Sequence, residues 1–130
     1  MAPALRVFIA DDSLPVTEML TELLNDPGKL EVVGVGATES ATIESIHRLR
    51  PDVVVLDLQL GSGSGTNVIR AVRASPELAH VGLIVASNHT SPQLRAGCLD
   101  LGADDYLDKV KEIGLLADRI AQVAGKRAAT

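Results

Sequence analysis

Five polar residues able to do chemistry follow closely on apolar runs. Asp11 and Asp12 follow Val7-Phe8-Ile9-Ala10, and Asp57 follows Val53-Val54-Val55-Leu56. Ser87 follows Leu83-Ile84-Val85-Ala86, and Lys109 comes just after Tyr106-Leu107. Three carboxylates in one pocket would repel each other. At about 4 Å and an effective dielectric near 20, each pair costs roughly 4 kcal/mol. Either one of them stays protonated or a cation sits among them. Oxygen-only ligands with space for waters suit Mg²⁺ better than Zn²⁺, and no His/Cys cluster competes. With a lysine and a hydroxyl donor added, the set describes phosphoryl transfer onto an aspartate.

Each residue alone has a plainer reading. An Asp after a strand is often a turn residue or helix cap, Ser87 a turn residue, and Lys109 a surface charge. Asp57 is harder to dismiss, because a carboxylate beside a core costs several kcal/mol unless paired or metal-bound. The joint placement is what carries weight, and it depends on elements that bring the five together.

Short apolar runs alternate five times with segments of helical period. The runs are the four above apart from the last, together with Val32-Val33-Gly34-Val35, and Tyr106-Leu107 as the fifth in chain order. The first four are short, continuous and mostly β-branched, as suits strands buried on both faces. Val16, Met19, Leu20, Leu23 and Leu24 mark the buried face of a first helix, with Ser13 as N-cap, Pro15 in its first turn and Asp26-Pro27-Gly28 as its end. Ile43, Ile46 and Leu49 mark a second helix stopped by Pro51, and Val68, Ile69 and Val72 a third that closes near Ser75-Pro76. Leu94, Cys98 and Leu101 mark a fourth, from Ser91-Pro92 to Gly102, and Ile113, Leu116, Ile120 and Val123 a fifth. Residues 125–130 are expected to fray.

This alternation predicts an α/β fold: a flavodoxin-like (βα)5 doubly wound parallel sheet of strand order 2-1-3-4-5. Ligands of such sheets bind outside the carboxyl ends of the strands, where the strand order reverses. Asp11, Asp12, Asp57, Ser87 and Lys109 would all converge there.

Composition narrows the function. The 130 residues suit one domain. One Phe, one Tyr and no Trp leave the core to Val, Leu, Ile and Ala. The net charge of −5 and scattered basic residues argue against a nucleic-acid surface. No secretory signal or membrane span is legible, and a single cysteine, Cys98, expected to pack in the core, fits a reducing, cytoplasmic compartment.

The sequence resembles the receiver domain of bacterial two-component response regulators, in its single-domain, chemotaxis-regulator-like form. The carriers are the acidic pair in FIADDS, Asp57 in VVVLDLQL, Ser87 in LIVASN, and GADDYLDK with Lys109. The resemblance implies a receiver domain over 5–124 that acts as a phosphorylation-dependent switch. It makes Asp57 the phosphoacceptor, with Mg²⁺ held by Asp11, Asp12, Asp57 and the backbone carbonyl of Gln59. Lys109 would pair with Asp57 and then bind phosphoryl oxygens. Ser87 would move to the phosphoryl group, and Tyr106 would turn inward behind it. Gln59 and His89 occupy positions that tune phosphoryl lifetime. The implied partners are a sensor histidine kinase or phosphotransfer protein, and a downstream effector protein or excised output domain, read through the fourth helix, fifth strand and fifth helix. Sequence departures are Val110 for the usual Pro after Lys109, Gly61 for a Pro four residues after Asp57, and Ser87 for the commoner Thr.

Three other readings compete with this one. A phosphohydrolase resembling the haloacid dehalogenases would need an Asp where Gln59 stands, and a longer chain. A nucleotide- or flavin-binding module would need G-x-G-x-x-G after the first strand, whereas Gly61, Gly63 and Gly65 give G-x-G-x-G after the third. A pseudo-receiver would keep the fold and signal without phosphate. The chain ends after the fifth helix, so no DNA-binding domain is expected within it.

Overall fold

The computed structural model describes residues 3–129. In chain order it runs β1 (Leu5–Ala10), α1 (Leu14–Leu24), β2 (Leu30–Gly36), α2 (Glu39–Leu49), β3 (Val53–Leu56), β4 (Gln59–Leu60), β5 (Gly63–Ser64), α3 (Gly65–Arg73), β6 (Gly82–Ser87), α4 (Pro92–Leu101), β7 (Asp105–Asp108) and α5 (Leu116–Ala128). Single 3-10 turns lie at Pro76–Leu78 and Ile113–Leu115. Five of the strands form one parallel sheet in the order β2-β1-β3-β6-β7. Counted along the sheet strands alone, this is the 2-1-3-4-5 order expected.

Side chains alternate across each strand, so β1, β3, β6 and β7 each feed two cores. Val7, Ile9, Val53, Val55, Ile84, Ala86 and Leu107 pack against Leu20 and Leu24 of α1 and Leu116, Ile120 and Val123 of α5. On the other face Phe8, Ala10, Val54, Leu56, Leu83, Val85 and Tyr106 pack against Ile46 of α2, Val68, Ile69 and Val72 of α3, and Cys98 of α4. Each fully buried aliphatic side chain contributes about 1.5–3 kcal/mol. Ser13, Thr38, Ser64 and Ser91 cap α1, α2, α3 and α4 by accepting a main-chain N–H one turn on. Gly102, at φ +118, ends α4.

Several details differ from the sequence reading. The buried stripe of α1 is Thr17, Leu20 and Leu24, while Met19 and Leu23 are exposed. Thr17 can be buried because its hydroxyl donates to the Leu14 carbonyl at 2.9 Å. The run Val32–Val35 is not buried on both faces: β2 is an edge strand, and Val35 is exposed. Leu94 of α4 is exposed as well, leaving Cys98 as its buried anchor. The glycine-rich stretch after Asp57 forms a short β4–β5 hairpin that the apolar pattern does not signal. The last helix runs on to Ala128, with Ala124 buried and Arg127 paired with Asp104 at 2.7 Å. Among the described residues, no helix is long and apolar enough to cross a membrane.

Candidate functional site

Strand register sets the site. Ala10 pairs with Leu56, so Asp11 and Asp57 leave neighbouring strands side by side, at the point where the sheet order reverses. Ser87 pairs with Asp108 across β6 and β7, which places Lys109 at the same edge. The five residues picked out in sequence therefore do meet.

Lys109 Nζ donates to Asp11 Oδ2 at 2.6 Å and to Asp57 Oδ2 at 2.8 Å. Asp11 is buried and Asp12 exposed; the side chain of Asp57 retains 14% of its exposure. Carboxylate oxygens of Asp11, Asp12 and Asp57 lie within 4.8 Å of one another. Burial, the largest single influence, pushes the Lys109 ammonium down. Hydrogen bonds and Coulombic attraction from Asp11 and Asp57 together outweigh it, and the net shift is upward from the ordinary 10.5. Lysine is therefore held charged between two carboxylates.

One ammonium does not neutralise three carboxylates. Main-chain donors relieve part of the excess: Ser13 N to Asp11 Oδ1 at 2.9 Å, Gln59 N to Asp57 Oδ1 at 3.2 Å and Gly61 N to Asp12 Oδ2 at 3.3 Å. Each carboxylate oxygen retains further lone-pair capacity. The donor set is all oxygen, crowded and partly open to water, so Asp11, Asp12 and Asp57 fit a hard cation such as Mg²⁺.

Beside Asp57 is a cleft of about 230 Å³ lined by Asp57, Leu58, Gln59, Ser87, Asn88, His89 and Leu94. Gln59 and His89 both border it. Ser87 is buried, and its Oγ accepts from the His89 N–H at 3.0 Å. The Tyr106 hydroxyl donates to the carbonyl of the same His89, with the ring buried. Burial raises the Tyr106 phenol above its ordinary 10.0, and a hydrogen bond with Ser87 partly offsets this. Tyr106 does not border the Asp57 cleft; it borders a neighbouring one with Thr90, Ser91, Pro92, Arg95 and Glu112. It connects to the site through His89.

Three supports went unnoticed in the sequence. Asp108 Oδ1 accepts from Val110 N and Lys111 N, both at 2.8 Å. An Asp that closes a strand is a turn signal that points to it. Glu39 Oε1 accepts from Ser64 N and Asn67 Nδ2, each at 2.9 Å, tying α2 to the β4–β5 hairpin and α3. Arg95 donates to the Tyr106 carbonyl at 2.8 Å, joining α4 to β7. Long-range pairs of these last two kinds leave no local signature.

Comparison with known proteins gives a single result. The family described as the response regulator receiver domain matches residues 7–121. A protein-glutamate methylesterase/protein-glutamine glutaminase of Nocardioides sp. is 27% identical over 121 residues, which cover 93% of this chain and 33% of that protein. Its counterpart 2 from Koribacter versatilis is 33% identical over 110 residues, 83% of this chain and 30% of that protein. The chain thus spans about a third of the length of these curated relatives. Among solved structures, the signal receiver domain of a response regulator designated NarL from Mycobacterium tuberculosis superposes with TM-score 0.87 at 27% identity, covering 95% of this chain and 98% of that one. The response regulator domain of Thermotoga maritima CheB shares the fold, with TM-score 0.83 at 21% identity over 94% of this chain and 97% of that one. The chain belongs to the response regulator receiver domain family of two-component signalling.

Proposed function

We propose that this receiver is a phosphorylation-dependent switch whose phosphoacceptor is Asp57. The observation that carries the reading is the Lys109–Asp57 contact of 2.8 Å, at the mouth of a cleft and within an acidic cluster. A phosphohistidine on a sensor kinase or phosphotransfer protein presents its phosphorus in that cleft. An Asp57 oxygen forms the new P–O bond as the P–N bond breaks, and the imidazole nitrogen leaves with the electron pair and is protonated. Mg²⁺, held by Asp11, Asp12, Asp57 and the Gln59 carbonyl, would neutralise charge on the transferring phosphoryl oxygens. Lys109, already held cationic by its carboxylate neighbours, exchanges one of them for a phosphoryl oxygen.

Ser87 then turns its hydroxyl to the phosphoryl group, giving up the His89 N–H. Because His89 also accepts from Tyr106, the change passes to β7 and, through Arg95, to α4. Such couplings are typically about 1–3 kcal/mol. A downstream effector, or an output domain outside these residues, would read the α4–β7–α5 face. The site acts as an acceptor rather than turning over an outside substrate, and it works in the cytoplasm, where kinases and Mg²⁺ meet it.

The test is incubation with acetyl phosphate, with and without Mg²⁺, followed by intact mass. One added phosphoryl group is expected, dependent on metal and absent in Asp57→Asn. An unchanged mass with this donor, and with a kinase able to phosphorylate other receivers, would leave only a scaffold that signals without phosphate.

A further inference from the structure

The turn after β7 departs from the usual receiver sequence, because Val110 rather than proline follows Lys109. Among the described residues there is no cis peptide bond. What shapes the turn instead is the Asp108 carboxylate. Its Oδ1 accepts from Val110 N and Lys111 N at 2.8 Å each, and proline at position 110 could not supply the first donor. Asp108 N donates to Glu112 Oε1 at 3.0 Å, and Glu112 N donates to the Asp108 carbonyl at 3.0 Å. Asp108 Oδ2 also accepts a longer bond, 3.4 Å, from the hydroxyl of Thr90, in the loop that carries Ser87 and His89. The same main-chain donors, Lys111 first and then Val110, hold the Asp108 carboxyl below its ordinary 3.8.

Lys109 sits inside this turn. Its main-chain N–H donates to the Ser87 carbonyl at 2.9 Å, while its Nζ must span to two carboxylates at 2.6 and 2.8 Å. A four-carbon stem reaches such a point reproducibly only from a fixed backbone. We propose that Asp108 is a positioning residue: its carboxylate builds the turn that delivers Lys109 to Asp57, and joins that turn to the Ser87–His89 loop through Thr90. The proposal rests on the phosphoacceptor reading above. It assigns to a side chain the constraint that proline supplies in other receivers.

The experiment compares Asp108→Ala and Asp108→Asn with the native chain. Both lose the same charge, but asparagine keeps an Oδ1 that can accept from Val110 and Lys111. In Asp108→Ala, amide hydrogen exchange at Val110 and Lys111 should quicken by roughly ten- to a hundredfold, relative to core amides that do not change. Phosphoryl uptake from acetyl phosphate with Mg²⁺ should slow by about tenfold. Asp108→Asn should recover both to within about twofold of native. Should the alanine chain fail to fold, Asp108→Leu, close in shape to asparagine but without an acceptor, takes its place in the comparison. Native exchange and native uptake in the alanine variant would overturn the proposal. So would an asparagine variant as impaired as the alanine, which would assign the effect to charge. A native chain that takes up no phosphoryl group sinks the phosphoacceptor reading instead, and the exchange rates still decide whether Asp108 holds the turn.

Discussion

The Gly61 N–H donates to Asp12 Oδ2 at 3.3 Å, tying the turn between β4 and β5 to the acidic pair after β1. Where a proline at this position would have no N–H to give, glycine supplies one and also accepts φ +58. The glycine-rich hairpin is therefore part of the site's wall, further secured by Glu39 from α2.

Glycine substitutions should separate backbone strain from crowding. In Gly61→Ala the new Cβ meets only Thr38 Cγ2 at 3.7 Å and Ala37 O at 3.8 Å, so the cost is the left-handed backbone, about 1–2 kcal/mol. Gly65→Ala should cost more, because its Cβ would stand 2.4 Å from the Asp57 carbonyl oxygen and must displace the backbone of Asp57. Gly97→Ala, with nothing within 4 Å and an exposed place in α4, should gain about 0.5–1 kcal/mol. Urea unfolding of the three variants measures this ordering, and a neutral Gly65→Ala would contradict it.

Mg²⁺ should raise the unfolding temperature of the native chain in a concentration-dependent way. At a hundred times the dissociation constant the gain is about 2.7 kcal/mol. Asp11→Asn and Asp57→Asn each remove a carboxylate of the acidic cluster and should flatten the response. Thermal scans across a Mg²⁺ series, with Na⁺ at matched ionic strength as control, decide the matter; equal responses in all three chains would remove these carboxylates from the metal site.

Alkaline pH should weaken the fold through two groups at once. Tyr106 and Lys109 both have folded pKa values raised above their ordinary 10.0 and 10.5. A raised value means that the folded state favours the protonated form. Their contribution is thus complete below the ordinary values and lost as pH rises through the folded ones. Tyr106 is the only tyrosine and the chain has no tryptophan, so phenolate absorbance reports it alone. Its midpoint should exceed 10.0 and accompany loss of helical signal, and Lys109→Met should reduce the alkaline slope of stability. A tyrosine midpoint at or below 10.0 would count against the buried placement.

Cys98 should behave as a packed side chain. It is 2% exposed, and burial raises its thiol above the ordinary 9.0. Alkylation by iodoacetamide near neutral pH should follow the rate of opening rather than reagent access, accelerating in step with unfolding as urea is added. Prompt, urea-independent modification of the native chain would show that α4 leaves the core readily.

Part of the site was legible because parallel strands deliver their last residues to one edge. Asp11, Asp57 and Ser87 needed only the apolar runs before them to be located. On α1, Met19 and Leu23 satisfy helical spacing as well as Leu20 and Leu24, and spacing alone cannot say which side meets the sheet. The ion pair that joins Arg127 near the end of α5 to Asp104 is a long-range contact that spacing does not signal.

Local periodicity determined the number, type and order of the main elements, and hence which polar residues share the carboxyl edge of the sheet. It could do so because alternation by two and recurrence near four are properties of adjacent residues. Only the tertiary structure decided that Lys109 bridges Asp11 and Asp57, that Gly61 reaches Asp12, and that Asp108 accepts from the Val110 and Lys111 N–H groups. The first two are contacts between groups brought together by chain crossings. The third depends on where one carboxylate points, which composition and spacing do not encode.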